Sequence, residues 1–125
     1  PAVVNVVAAH GIPYAATASL GYPEDFMAKV EKAMNTDGTS YIHVMAPCPT
    51  GWGTPTDVTI DIGKEAVDCG LWYLAEYENG KFKINCDPKE FTSVEDYLNF
   101  DAHDFERVIA DRDATWNRIR NDWNK

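Results

Sequence analysis

Apolar and polar positions in the first part of the chain follow a strand, helix, strand order. Residues 12–18 are apolar on both faces apart from Thr17, which is typical of a buried parallel strand. Pro23 suits the first turn of a helix, and a set of apolar residues then recurs at helical spacing: Phe26, Met27, Val30, Ala33 and Met34. Residues 40–46 predict the next strand. The short links between these elements indicate a right-handed crossover that joins two parallel strands.

Residues 3–9 are also apolar, and their pattern leaves two structures open. They fit a short strand by propensity, or the last turns of a helix that ends at Gly11. Because the apolar stretch begins at the first residues without a polar lead-in, we expect it to pack against something else. We therefore expect this sequence to be a segment of a longer polypeptide or a subunit of a larger complex.

The second part of the chain predicts a helix, a hairpin and a helical tail. The helix covers residues 56–69 and ends at Gly70. Asn79 and Gly80 lie between two β-rich runs, a strong signal for a two-residue hairpin turn. This turn sets a register that pairs Tyr77 with Phe82, Ala75 with Ile84, Glu78 with Lys81 and Glu76 with Lys83, and that leaves Cys86 opposite Tyr73. The tail carries one apolar stripe at helical spacing: Phe105, Val108, Ile109, Trp116, Ile119 and Trp123.

A shift in composition divides these elements into two units. All four arginines lie after residue 106. We expect residues 1–55 to form the strand–helix–strand part of one domain. Residues 56–125 would then form a C-terminal extension with the helix, the hairpin and the tail. The fold class predicted from this order is α/β, built on a parallel pair of strands.

The composition argues against several classes of protein. The chain has 125 residues, enough for one domain with a sizeable core. Its 11 basic and 20 acidic residues give a net charge of −9, which argues against binding to the phosphate backbone of nucleic acids. Three cysteines are too few for a disulfide scaffold, and no run approaches the ~18 apolar residues of a membrane span. We expect an acidic, globular, cytoplasmic protein with neither a nucleic-acid nor a membrane partner.

The loop after the second strand places a cysteine where ligands bind in parallel sheets. It reads Pro-Cys-Pro-Thr-Gly-Trp-Gly at residues 47–53, and Cys48 therefore follows the carboxyl end of a strand. Cys48 is either a small buried residue or a thiolate ligand to a metal or cluster. A lone cysteine does not hold an iron–sulfur cluster, so the other ligands would come from outside this chain. Cys69 and Cys86 are better explained by packing, and no Cys-x-x-Cys pair supports a thioredoxin-like protein.

The remaining candidate residues fit structural roles better than catalytic ones. His10 suits a helix C-terminus, and His43 is typical of a core histidine with its hydrogen bonds satisfied. His103 lies among acids that suit the start of a helix. Trp52 either covers a cofactor or packs its loop against the core. No serine lies in a nucleophile-elbow motif, and neither a dinucleotide-binding nor a Walker motif occurs.

Four motifs, taken in order, resemble one known family. They are Ala-His-Gly-Ile-Pro-Tyr-Ala-Ala-Thr-Ala-Ser at 9–19, Tyr-Pro-Glu-Asp at 22–25, Ser-Tyr-Ile-His at 40–43 and Ala-Pro-Cys-Pro-Thr-Gly-Trp at 46–52. The chain resembles the C-terminal part of the β subunit of pyruvate:ferredoxin oxidoreductase (pyruvate synthase), within the 2-oxoacid:ferredoxin oxidoreductase family. The likeness continues through residues 71–73, 76–81 and 94–98. The Ala-Pro-Cys-Pro-Thr-Gly-Trp stretch is the most specific part of it.

The resemblance implies cofactors and partners that the chain alone does not supply. Members of the family use thiamine diphosphate with Mg²⁺ to decarboxylate a 2-oxoacid, pass electrons through iron–sulfur clusters to ferredoxin, and transfer the acyl group to coenzyme A. Residues 1–55 would be the end of the thiamine-diphosphate-binding domain, in a hetero-oligomer with other subunits. Cys48 would be the fourth ligand of a four-iron four-sulfur cluster. The motifs for the diphosphate and for Mg²⁺ are absent here, so we assign no catalytic residue and expect the chain alone to be inactive.

Residues 99–105 depart from the family pattern, which leaves the particular 2-oxoacid open. Pyruvate, branched and aryl 2-oxoacids all remain candidates. The alternative hypothesis is a non-enzymatic acidic α/β interaction module that docks onto a partner protein. A small thiol-dependent redox protein is the weakest hypothesis, because a single loop cysteine lacks a resolving partner.

Overall fold

The computed structural model describes residues 2–46, 59–94 and 105–124. In chain order the elements are α1 (Ala2–Ala8), β1 (Tyr14–Ser19), α2 (Pro23–Asn35), β2 (Ser40–Met45), α3 (Thr59–Asp68), β3 (Leu74–Glu78), β4 (Lys81–Cys86) and α4 (Phe105–Trp123). The α/β class predicted from the sequence is confirmed. The two structures left open for the first residues resolve to a helix, and Gly11 follows it with a φ of 77°. No helix in the described ranges has the length and hydropathy needed to cross a bilayer.

The four strands form one mixed sheet in the order β2-β1-β3-β4. β1 and β2 are parallel, with Tyr14 paired to Ser40 and Ser19 to Met45, so the predicted parallel pair is confirmed. β3 lies antiparallel on the other side of β1. Strands from both sides of residue 55 thus share a sheet, while the division into two domains there stays a prediction.

The hairpin has the register that its sequence predicts. All four predicted pairs form, and both turn residues have positive φ, 52° at Asn79 and 82° at Gly80, as a tight hairpin turn requires. The prediction for Cys86 is wrong, because this residue pairs with Leu74 rather than Tyr73. An irregularity between Leu74 and Ala75 shifts the register by one residue at the far end of the ladder.

The main core joins α1 and α4 to the sheet. Its buried members are Val4, Ala15, Tyr73, Ala75, Ile84, Trp116 and Ile119. The indole Nε1 of Trp116 donates to the carbonyl of Gly70 over 2.8 Å, which satisfies the one polar atom of that side chain. Trp123, the last residue of α4, was expected in the same apolar stripe, but it is 40% exposed.

The orientation of α2 corrects a second expectation. Of its predicted apolar stripe, Met27 is 64% exposed and Met34 is 80% exposed, whereas Lys29 is only 2% exposed. The ammonium of Lys29 donates to the carbonyl of Thr17 and to the carboxylate of Asp25, each over 2.7 Å. These bonds satisfy a charge that would otherwise be costly to bury. The helix is therefore rotated so that a lysine faces the sheet and two methionines face away from it.

Candidate functional site

The carboxyl ends of β1 and β2 lie side by side, which is where open parallel sheets bind ligands. The last paired residues there are Ser19 and Met45. Cys48, the candidate cluster ligand, follows three residues after β2 ends, but it lies outside the described residues. Trp52 and His103 lie outside them as well, whereas His10 is exposed beyond the end of α1.

The backbone of α3 contacts the end of β1 directly. The Ser19 hydroxyl donates to the carbonyl of Gly63 over 2.8 Å and accepts from the amide of Gly21 at 3.2 Å. A Cβ on Gly63 would lie 2.9 Å from the amide nitrogen of Gly21, and a Cβ on Gly21 would collide with the backbone of Lys64. Two glycines are needed because only residues without a Cβ let the two backbones approach this closely. The contact fixes α3 as one wall of the carboxyl edge.

An aromatic pair borders the same edge on β2. The indole Nε1 of Trp72 donates to the carbonyl of Ala18 over 2.9 Å. The rings of Trp72 and His43 are in edge-to-face contact, with their centroids 4.9 Å apart. The Nδ1 atom of His43 is buried and has no hydrogen-bond partner in the part of the chain that the structure describes. The expectation of a fully satisfied core histidine is therefore wrong at this atom.

A tyrosine and a carboxylate join the loop after β1 to the end of α3. The hydroxyl of Tyr22 donates to Asp68 Oδ1, and the ammonium of Lys64 donates to Asp68 Oδ2 over 2.6 Å. Burial first, and then the bond to Asp68, raise the pKa of Tyr22. This phenol therefore stays a protonated donor across the physiological range, as a structural link between the two elements.

The two described cysteines are not arranged as metal ligands. Cys69 is buried, lies 3.5 Å from the carbonyl of Ala66 as a weak donor, and has its pKa raised chiefly by burial. Burial also raises the pKa of Cys86, and the nearby carboxylates of Asp68 and Asp25 add to this. The burial of Cys69 and the partial burial of Cys86 match the packing role expected from the sequence. Within 2–46, 59–94 and 105–124 no group of three or more His, Cys, Asp or Glu side chains could hold a metal ion.

A buried polar network lies where α2 crosses the sheet, and the sequence analysis missed it. Glu76 is 2% exposed, and its carboxylate accepts from the Tyr14 hydroxyl over 2.6 Å, from Lys32 Nζ over 2.9 Å and from Asn85 Nδ2 over 3.3 Å. Burial alone would raise the pKa of Glu76, but the bonds from these three donors outweigh it and lower the pKa. One signal was available in the sequence: a tyrosine on a fully buried strand needs a partner for its hydroxyl.

Three relatives show what the chain is similar to. It is 52% identical to pyruvate synthase subunit PorB of Methanothermobacter thermautotrophicus over 94 residues, or 75% of this chain and 33% of the relative. It is 52% identical to PorB of Methanocaldococcus jannaschii over 108 residues, 86% of this chain and 36% of the relative. It is 43% identical to ketoisovalerate oxidoreductase subunit VorB of Pyrococcus horikoshii over 125 residues, 98% of this chain and 40% of the relative. No family model matches the chain.

The relatives that the chain matches are all named as subunits of oxidoreductases or synthases. More particularly, the chain matches part of the PorB and VorB subunits, with identities between 43% and 53%, so the resemblance to a partial β subunit of the 2-oxoacid oxidoreductases is confirmed. The chain spans only about a third of the length of the curated relatives it matches, 33% to 40% in these three.

Proposed function

We propose that this chain is part of the β subunit of a 2-oxoacid:ferredoxin oxidoreductase that depends on thiamine diphosphate, Mg²⁺ and iron–sulfur clusters. The reaction converts a 2-oxoacid and coenzyme A into acyl-coenzyme A and CO₂, and releases two electrons and a proton. Ferredoxin accepts the electrons one at a time. Pyruvate is the first substrate to test, because PorB relatives are named for pyruvate synthase. The enzyme would be a cytoplasmic hetero-oligomer.

The observation that carries this proposal is the similarity to PorB and VorB along most of the chain. At 43% identity over 98% of this chain, the match to VorB extends to both ends of the described fold. The fold is compatible with it, because the parallel pair β1 and β2 presents its carboxyl edge toward residues that follow β2. In this role the segment contributes a wall of a site that the rest of the subunit completes.

For this segment we propose one direct role, with Cys48 as a single thiolate ligand of a four-iron four-sulfur cluster. The described residues do not form a cluster site by themselves, since no group of three or more His, Cys, Asp or Glu side chains among them could hold a metal ion. Three further ligands would therefore come from outside the chain. Because no residue here matches a diphosphate or Mg²⁺ motif, we assign no catalytic residue, and we expect the segment alone to be inactive.

The proposal is tested by activity of the intact assembly, purified without oxygen. We expect pyruvate to drive reduction of a viologen dye only when coenzyme A is present, with one CO₂ released for each two electrons transferred. The same assay with 3-methyl-2-oxobutanoate distinguishes a pyruvate enzyme from a branched-chain one. Absence of dye reduction with every 2-oxoacid, in an assembly that contains thiamine diphosphate and iron, would contradict the proposal and favour the interaction module.

A further inference from the structure

The two elements that flank Cys48 in the sequence meet at one buried residue, Ser19. We call residues 46–62 the connecting segment, since they join the end of β2 to the middle of α3. Met45, just before this segment, pairs with Ser19 in the parallel ladder. Gly63, just after it, accepts from the Ser19 hydroxyl over 2.8 Å. The connecting segment is therefore tied to the same residue of β1 at both ends.

The side chain of Ser19 is suited to such a joint. It is fully buried, and its hydroxyl donates to the carbonyl of Gly63 and accepts from the amide of Gly21 at 3.2 Å. A buried hydroxyl that donates one bond and accepts another has a fixed orientation. Space at the joint is also limited, because a Cβ on Gly63 would lie 3.1 Å from the Ser19 oxygen. The joint therefore depends on both the hydroxyl and the small size of its neighbours.

Cys48 lies within a short reach of this joint. It follows Met45 by three residues, and an extended chain spans at most ~3.6 Å per residue, so the Cα atoms of Met45 and Cys48 are no more than about 11 Å apart. Pro47 and Pro49 flank Cys48 in the sequence, and a proline restricts its own backbone and that of the residue before it. A shift of the strand end is thus passed on to Cys48 through a short, restricted link.

We propose that Ser19 is a positioning residue for Cys48, which it holds in place by tying both ends of the connecting segment. This role rests on the proposed function, in which Cys48 is a cluster ligand, and adds to it the residue that sets the position of that ligand. Metal ligands must be held within about 0.5 Å of their productive positions by the residues around them. Loss of the tie should therefore weaken the bond between the Cys48 thiolate and iron while the rest of the fold remains.

The same strand offers a matched control for Ser19→Ala. Thr17 is also fully buried, and its hydroxyl also donates one bond and accepts one, to the carbonyl of Tyr73 over 2.6 Å and from the amide of Ala75 at 2.9 Å. Both of these bonds are directed toward β3 rather than the connecting segment. Thr17→Val consequently removes an equivalent pair of buried hydrogen bonds, two residues away, without releasing the segment.

The test uses the intact assembly, purified without oxygen, with iron release to a chelator and the EPR spectrum after reduction as the two measurements. We expect Ser19→Ala to release the iron of the cluster that Cys48→Ser alters at least several-fold faster than the unmodified assembly, and to change the same EPR component. Thr17→Val should match the unmodified assembly in both measurements. Equal changes in the Ser19 and Thr17 variants, or no change in Ser19→Ala, would overturn the inference.

A second variant breaks the tie from the side of α3. Gly63→Ala places a Cβ 3.1 Å from the Ser19 oxygen and 2.9 Å from the amide nitrogen of Gly21, so these backbones must move apart. Alanine favours a helix more than glycine does, so α3 itself is not weakened. We expect this variant to change the same EPR component as Ser19→Ala. An unchanged spectrum in Gly63→Ala would contradict the tie.

The Cys48→Ser variant separates failure of this inference from failure of the proposed function. If Cys48→Ser alters a cluster and Ser19→Ala does not, only the positioning role is refuted. If Cys48→Ser leaves iron and spectrum unchanged, the proposed ligand is refuted, and the positioning role with it.

Discussion

The hydroxyl of Tyr14 donates to Glu76 across 62 positions of sequence, over a distance of 2.6 Å, and joins the first strand to the third. Lys32 and Asn85 bind the same carboxylate from α2 and β4. Four elements thus meet at one buried charge. Removing one donor leaves that charge less well compensated, which is why the network is sensitive to single substitutions.

Tyr14→Phe should lower the free energy of unfolding by about 1.5–3 kcal/mol, the usual range for a hydrogen bond to a charged group. The matched control is Tyr77→Phe, which deletes a hydroxyl that donates to the neutral amide of Asn5 over 2.8 Å. We expect the control to cost about 0.5–1.5 kcal/mol. Urea unfolding followed by circular dichroism gives both values. Equal losses in the two variants would show that the charge of Glu76 adds nothing.

The same carboxylate predicts a dependence of stability on pH. Its pKa in the folded state lies below the ordinary value of 4.5, so the folded form binds a proton less readily than the unfolded form. The stabilisation is therefore complete above pH ~4.5 and is lost as the pH falls through the lower folded-state value. Glu76→Gln should make the free energy of unfolding depend less on pH between about pH 3 and pH 7. If the variant loses stability at acidic pH to the same extent as the unmodified protein, the account is contradicted.

The close backbone contact between Gly21 and Gly63 predicts a steric effect at the carboxyl edge of the sheet. Gly21→Ala places a Cβ about 2.0 Å from the backbone nitrogen of Lys64, so the backbone itself must shift, which should cost about 3 kcal/mol. Gly11→Ala is the control, since its Cβ would meet nothing within 4 Å and only the positive φ of 77° opposes it. We expect about 1–2 kcal/mol for the control. Thermal unfolding of the two variants measures both losses of stability. A larger loss in Gly11→Ala than in Gly21→Ala would refute the close backbone contact.

The raised pKa values of two thiols predict slow alkylation in the native protein. Cys69 is buried and Cys86 is half-buried, and both are protonated at neutral pH. With iodoacetamide at pH 8, we expect Cys86 to react more slowly than a free cysteine and Cys69 to react only after unfolding. Mass spectrometry of the separate peptides gives the two rates. Rapid native modification of Cys69 would mean that its thiol is not enclosed.

The sequence predicts those parts of the fold in which local signals agree. Asn79-Gly80 fixes the hairpin because the turn chemistry, the apolar pairs and the opposite charges all require one register. The parallel pair follows in the same way from short links around α2. The pairing of Cys86 was not predictable, because the irregularity between Leu74 and Ala75 leaves no local signal in the sequence.

Contacts between residues far apart in the sequence explain the features that the sequence pattern did not predict. Met27 and Met34 fit the helical stripe as well as Val30 does, and only the partners of Lys29 show that the lysine is inside. Glu76 was expected to pair with Lys83 across the ladder, and it does so in register, yet its carboxylate is bound by Tyr14, Lys32 and Asn85. Such contacts depend on how α2 lies on the sheet, which periodicity alone does not specify.

The most direct test of the account is the iron content of the intact assembly with Cys48→Ser, prepared without oxygen, beside Cys86→Ser as the control. We predict that the Cys48 variant loses or alters one cluster, seen as a deficit of about four iron atoms per β subunit or as a changed EPR spectrum after reduction. The control should match the unmodified assembly in both measurements. Unchanged iron and an unchanged spectrum in Cys48→Ser would contradict the proposed cluster ligand and leave that residue a packing role.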